Sequence, residues 1–316
     1  MGAFAFVFPG QGSQSVGMLD AWDGHPAVAE AVQEASDALH EDVGRLIEEG
    51  PRETLALTTN TQPVMLVAAV AAWRAWKAEG GADPIAVAGH SLGEYSALVA
   101  AGVLTLTQAA PLVRFRAAAM QEAVPVGVGA MAAILGLDAQ KVIAGCQEVT
   151  QSFGTSSSEV VEAVNFNDPG QTVVAGSKAA VEKACEALKA AGAKRALPLP
   201  VSAPFHSTLM RPAAERLRQK LADTAFATPR IALVDNIDVA VQDDPAAIRD
   251  ALYRQAFGPV RWVECIRSLK ARGALTVVEC GPGKVLAGMT KRIDPALAAL
   301  AVHDPATLAE AKALLA

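Results

Sequence analysis

The chain has 316 residues, is 52% hydrophobic but only 5% aromatic, and carries a formal net charge of −6. That is apolar material enough for one large domain or two smaller ones, and the acidic balance excludes a broad nucleic-acid surface. The longest apolar run, 64–73, falls short of the roughly 20 residues a membrane span needs, and MGAFAFVFPG lacks the basic start and length of an export signal, so a cytoplasmic protein is expected.

Residues 3–8 are a short apolar run entering PGQGSQ, a strand running into a tight loop. Helical periodicity covers 26–39 and 62–77. The second stretch opens on Asn60-Thr61-Gln62-Pro63, with polar capping residues and an early proline. Residues 84–88 read as a buried strand, GHSLGE (89–94) follows, and 92–101 and 106–121 read as helices. Strands alternating with helices predict a parallel sheet covered on both faces.

After Val124-Pro125-Val126-Gly127 the order changes. Strand 130–135, helix 138–148, strands 159–165 and 171–175 around a turn at 167–170, helix 179–191 and strand 194–199 give β-α-β-β-α-β, the ferredoxin-like order. A small domain at 125–200 therefore interrupts a larger α/β domain made of 1–124 and 201–316. The serine-rich stretch 152–158 reads as a mobile loop. In the returning segment, 213–222, 245–255 and 261–272 read as helices and 231–235 and 276–279 as strands, before GPGKVLAGMTKR (281–292). Cys146, Cys185, Cys265 and Cys280 fit neither a zinc site nor a redox pair, and free, buried thiols are expected.

GHSLGE carries the chemistry. A strand, then G-x-S-x-G, then a helix is a nucleophile elbow. Ser91 sits at a helix N-terminus, where N–H groups and the helix dipole favour developing negative charge. The Leu92 N–H points toward an oxyanion site. A serine hydroxyl needs a base, and histidine suits neutral pH. Of five histidines, His25, His40 and His303 read as surface residues. His90 adjoins Ser91 and should point away from it, packed behind the elbow. His206, on the proline-bounded loop Ser202-Ala203-Pro204-Phe205-His206-Ser207, remains by elimination. No carboxylate stands out as a third triad member. Asp235 and Asp238 are open to that role, and so is a backbone carbonyl, which would make a Ser–His dyad.

Arg114 and Arg116 lie about 200° apart on their helix, so they face different sides. One can be solvated while the other points inward, where a guanidinium wants a carboxylate or phosphate; an internal ion pair is the alternative. PGQGSQ has serine at position 15, where a dinucleotide fingerprint needs its third glycine, and no Walker lysine. It reads as a close backbone approach to the site, with the Gln11 N–H available to donate.

GQGSQ, GHSLGE, the downstream arginine, Asn165-Phe166-Asn167-Asp168-Pro169-Gly170-Gln171, the His-Ser at 206–207 and GPGKVLAGMTKR occur together and in order. The ordered set resembles the malonyl-CoA:acyl carrier protein transacylase family over nearly the whole chain. The resemblance implies a hydrolase-like α/β core, with a short, mainly parallel sheet flanked by helices, and a ferredoxin-like insert. It implies Ser91 as the acylated nucleophile, His206 as its base, and Gln11 and Leu92 as the oxyanion hole. By the same resemblance Arg116 clamps the malonyl carboxylate, Asn165 lines the cleft, and the main-chain carbonyl of Gln255 orients His206. Phe205 resembles the residue of malonyl-selective relatives rather than branched-malonyl ones.

The implied partners are malonyl-CoA and acyl carrier protein, with no metal, bound cofactor, nucleic acid or membrane, and a monomer is expected. Lys284, Lys291 and Arg292, with Lys194 and Arg195 behind them, are candidates for a basic rim facing the acidic carrier. Two rivals share these residues: a thioesterase or lipase using the same dyad, against which the Arg116 pocket and GQGSQ loop argue, and a non-catalytic carrier-binding module, against which intact Ser91 and His206 argue.

Overall fold

The computed structural model describes residues 2–154, 156–201 and 203–316. Thr155, in the serine-rich stretch, and Ser202, in the loop before His206, lie outside the described residues. The chain begins with β1 (Phe4–Phe8), α1 (Pro26–Leu39), α2 (Val43–Glu49), α3 (Arg52–Leu55), α4 (Thr58–Ala78), β2 (Ala86–Gly89), α5 (Gly93–Ala100) and α6 (Leu106–Glu122). It continues through β3 (Gly129–Leu135), α7 (Ala139–Ser152), β4 (Val161–Asp168), β5 (Gln171–Ser177), α8 (Lys178–Ala190) and β6 (Arg195–Pro198). It ends with α9 (Arg211–Ala222), β7 (Ala232–Val234), α10 (Pro245–Gln255), α11 (Trp262–Ala271), β8 (Thr276–Cys280), α12 (Val285–Ile293), β9 (Ala298–Val302) and α13 (Pro305–Leu315).

The first sheet runs β7-β2-β1-β8-β9, and every neighbouring pair is parallel. β1 lies at its centre and all five of its residues are buried, as a strand covered on both faces requires. Phe4, Phe6 and Phe8 face the core built with α4 and α6, while Ala5 and Val7 face Trp262, Ile266 and Leu286 from α11 and α12. The nucleophile strand β2 sits next to β1, with Phe8 level with Gly89.

α4 starts a turn before the expected Asn60–Pro63 boundary and takes Pro63 into its interior. Proline has no N–H for the carbonyl four residues back. The Arg114 guanidinium supplies that lost partner: it donates to the Thr59 carbonyl, to Asn60 Oδ1 at 2.8 Å, and to Glu41. Arg114 thus belongs to helix architecture, and Arg116, two residues on, faces a different side and is buried.

The second sheet runs β4-β5-β3-β6 with every pair antiparallel. Successive β3 side chains alternate between its faces. Ala132 and Ile134 pack with Val142, Cys146, Val181 and Leu188 of α7 and α8, whereas Met131 and Ala133 join the main core. β4 also meets the large sheet's surroundings: Phe166 N–H donates to Val260 O at 3.0 Å, and Val260 N–H to Val164 O at 2.8 Å. That contact holds Asn165 over the elbow. The four cysteines are free thiols, three buried and Cys185 half-buried. Among the described residues no helix is long and apolar enough to cross a membrane.

Candidate active site

β2 ends at Gly89, and the chain turns so sharply that Ser91 takes φ 54°. A non-glycine residue there stores about 1–3 kcal/mol of strain. Both flanking glycines are required by contact. A Cβ on Gly89 would sit 1.9 Å from the Gly93 carbonyl carbon, and one on Gly93 would sit 2.1 Å from the Phe8 carbonyl oxygen. The turn is therefore wedged against β1 and against its own helix α5, which fixes the direction of the serine hydroxyl.

Ser91 Oγ lies 2.7 Å from His206 Nε2. His206 Nδ1 is 2.9 Å from the main-chain oxygen of Gln255. With Nδ1–H donating to that carbonyl, Nε2 is left as the acceptor facing the hydroxyl. Asp235 accepts from the N–H groups of Asp238 and Val239, and Asp238 pairs with Arg254; among the described residues neither carboxylate bonds to the imidazole. His206 is 4% exposed. Burial, and then the Arg116 charge, push its pKa from 6.5 down to about 3. The imidazole is consequently a neutral acceptor at physiological pH.

Arg116 is 1% exposed and enters the site from α6. Its Nη1 donates to Gln62 Oε1 at 2.6 Å, and its Nη2 to Gln255 Oε1 at 3.1 Å and to Ser91 Oγ at 3.3 Å. The Tyr95 ring lies 5.5 Å from its guanidinium carbon. All these hydrogen-bond acceptors are neutral. The nearby Glu94 carboxyl acts on this charge electrostatically but is held protonated up to about 8, so near neutral pH the cation is fixed by neutral acceptors while its charge stays uncompensated. Nothing else in the site is so clearly built to receive an anion.

These groups line one cavity of about 130 Å³ with Gln11, His90 and Asn165 as further polar walls and Met120, Met131, Leu199, Val201 and Phe205 as apolar ones. It continues past Gln11, His90, Asn165 and Leu199 into a neighbouring cavity of about 190 Å³. Asn165 Oδ1 is buried there without a partner among the described residues. Among the same residues, neither the Leu92 nor the Gln11 N–H meets an acceptor, whereas Ser91 N–H is taken by Asn236 Oδ1 at 2.7 Å. His90, expected to point away behind the elbow, lies 2.8 Å from Asn167 Oδ1 and edge-on to Trp262, and it also forms part of the cavity wall. His25 and His303 depart from the surface expectation. Both are half-buried, His25 edge-on to Trp22 and 3.5 Å from Glu79.

Comparison with known proteins gives the family. Residues 5–299 match the family model described as acyl transferase domain. The chain belongs to the acyl transferase domain family. A curated relative from Salmonella typhimurium, named malonyl CoA-acyl carrier protein transacylase, is 52% identical over 98% of this chain and 99% of its own length. The one from Bacillus subtilis is 44% identical over 98% and 96%. A crystal structure of the acyl-carrier-protein S-malonyltransferase of Burkholderia pseudomallei superposes with TM-score 0.95 at 62% identity, covering 98% of this chain and 99% of that one. A malonyl-transacylase solved in complex with its type II PKS acyl-carrier protein has TM-score 0.95 at 50% identity, covering 99% of each chain.

Three polar residues of this acyl transferase site escaped sequence reading: Gln62, Glu94 and Asn236. Glu94, the last letter of GHSLGE, is 1% exposed. Its Oε2 accepts from Gln255 Nε2 at 3.0 Å and from Asn236 N–H at 3.1 Å. Burial, and then Asp235, raise its pKa from 4.5 to about 8. The folded state therefore binds this proton more tightly than the unfolded chain, and stability from that proton is lost as pH rises from about 4.5 through 8. Glu94→Gln keeps the acceptor and removes the charge. Its melting temperature should gain on wild type progressively between pH 5 and 8.5, by several degrees at the top; parallel curves would refute this.

Proposed function

We propose that this acyl transferase moves a malonyl group from malonyl-CoA to the phosphopantetheine thiol of acyl carrier protein, for fatty acid biosynthesis, through a malonyl ester on Ser91. The observation that carries the reading is the buried, charge-uncompensated Arg116 at 3.3 Å from the Ser91 hydroxyl; the relatives' names point the same way.

His206 Nε2 takes the Ser91 proton as Oγ bonds to the thioester carbonyl carbon. The oxyanion forms against the Leu92 and Gln11 N–H groups. The carbon–sulfur bond then breaks, and the departing coenzyme A sulfur takes the proton from the imidazolium. The carrier thiol repeats these steps in reverse and frees Ser91, a ping-pong sequence. Arg116 binds the malonyl carboxylate bidentately, Asn165 and Phe205 line the acyl pocket, and the Gln255 carbonyl orients His206.

The catalytic domain in this reading comprises 1–124 and 201–316, hydrolase-like, with 125–200 as a ferredoxin-like insertion. The order β4-β5-β3-β6, all antiparallel, with α7 and α8 on one face, supports the insertion. Free thiols throughout support a cytoplasmic setting. Intact-protein mass after incubation with malonyl-CoA tests the reaction. A malonyl adduct on Ser91, discharged by holo carrier protein and far more slowly by water, is expected. An adduct lost equally fast without carrier would make the protein a thioesterase, and no adduct would leave the dyad unused.

A further inference from the structure

β7 and β2 pair in parallel as far as Val234 and Ala88, so the next ladder positions bring Asn236 opposite His90. In a parallel ladder, a residue opposite His90 would give its N–H to the Gly89 carbonyl and take the Ser91 N–H on its own carbonyl. The Asn236 side-chain amide makes those two bonds instead. Nδ2 donates to Gly89 O at 2.7 Å, and Oδ1 accepts from Ser91 N–H at 2.7 Å. The residue is fully buried. Its displaced main-chain groups are also paired: its N–H with Glu94 Oε2 at 3.1 Å and its C=O with Arg261 N–H at 3.2 Å.

We propose that Asn236 is the positioning residue of the nucleophile, its amide standing in for a strand so that the elbow stays in register while Ser91 leaves the plane of the sheet. The backbone at Ser91 is strained, and its N–H and the Gly89 C=O would otherwise be buried and orphaned, each at about 1–3 kcal/mol. The amide satisfies both and pins the turn from the β7 side, while His90 N–H to Phe8 O at 3.0 Å pins it from the β1 side. It also occupies Ser91's own N–H, leaving Leu92 and Gln11 as the oxyanion donors. Through Glu94, which also receives Gln255 Nε2, the holder of the serine is tied to the residue whose carbonyl holds His206. Gln255 Nε2 also donates to the Ser91 carbonyl at 2.9 Å, so nucleophile and base are set relative to one another both directly and through the Glu94 carboxyl.

The proposal rests on the reading of Ser91 as the acylated residue, and the test separates the two. The rate of malonyl adduct formation on Ser91 is measured at saturating and subsaturating malonyl-CoA for wild type, Asn236→Ala and Asn236→Asp, with the melting temperature and the malonyl-to-acetyl preference of each. Asn236→Ala should acylate about 100-fold more slowly at saturation, since about 1 Å of misplacement costs that much. KM and acyl preference should stay within about threefold, because the Arg116 pocket is untouched. Asn236→Asp keeps the acceptor but sets a second oxygen against the Gly89 carbonyl, and should lose about tenfold. A folded Asn236→Ala that acylates within threefold of wild type overturns the proposal. If that variant does not fold, Asn236→Asp acylating at the wild-type rate overturns it. Wild type that forms no Ser91 adduct would instead defeat the functional reading.

Discussion

His206→Ala is expected to slow formation of the Ser91 ester by about 1,000-fold, within the 10²–10⁴ range for a positioned general base. The KM for malonyl-CoA should stay nearly constant, because the imidazole acts on the proton and Arg116 on the substrate. Ser91→Ala combined with His206→Ala should be no worse than Ser91→Ala alone, since the two act as one unit. The pH dependence is the more discriminating result. Burial and the Arg116 charge hold His206 at about 3, so kcat/KM should show no inflection near 6.5, where an ordinary histidine titrates. Stability follows the same linkage: the unfolded histidine binds a proton below about 6.5 and the folded one does not, so this contribution is full above 6.5 and is lost as pH falls toward 3. An acid limb centred near 6.5 in wild type, absent when another residue is substituted in place of His206, would show that the imidazole is accessible and contradict the burial argument. Full activity in His206→Ala would remove it from the mechanism.

The contrast between what could and could not be read from the sequence is physical. Ser91 was legible because its elbow needs glycine at 89 and 93 for close backbone approach, and such needs leave a local signature. The helices at 26–39 and 245–255 were legible to the residue because an apolar period begins on a proline at the first helical position. β9 and α13 were not legible. The alanine-rich Ala298–Val302 has no strand propensity of its own and is a strand only because β8 offers a parallel edge. Asn236 and Glu94 left no signal for a related reason. A polar residue becomes a positioning group only through partners far away in the chain, and no spacing rule encodes the meeting of 89, 91, 94, 236 and 255. Arg116 lay between these cases: the helical angle showed that the two arginines face different sides, so that one can point inward, but only the fold tells which one does and which acceptors await it.

Arg116→Ala should lower kcat/KM for malonyl-CoA by about 10²–10³-fold, while acetyl-CoA changes by less than about tenfold. The magnitude follows from losing one partner of a buried, hydrogen-bonded charge pair, about 2–5 kcal/mol, at about 1.4 kcal/mol per tenfold. The direction follows from what the pocket lacks. Gln62 and Gln255 fix the fork with neutral oxygens, and Nε has no partner among the described residues. Burial disfavours the charge and lowers the arginine's pKa, yet a guanidinium stays protonated at neutral pH. The empty site therefore carries an electrostatic penalty that a carboxylate removes and an acetyl methyl does not. Selectivity arises from this uncompensated charge rather than from pocket size, since acetyl is the smaller group and would fit. Arg116→Lys should also be impaired, because a point charge cannot bridge Gln62, Gln255 and a carboxylate as the planar fork does. The deciding measurement is the ratio of malonyl to acetyl transfer in each variant. A ratio that stays at its wild-type value in Arg116→Ala would mean that the carboxylate is read elsewhere, and the charge argument would fail with it.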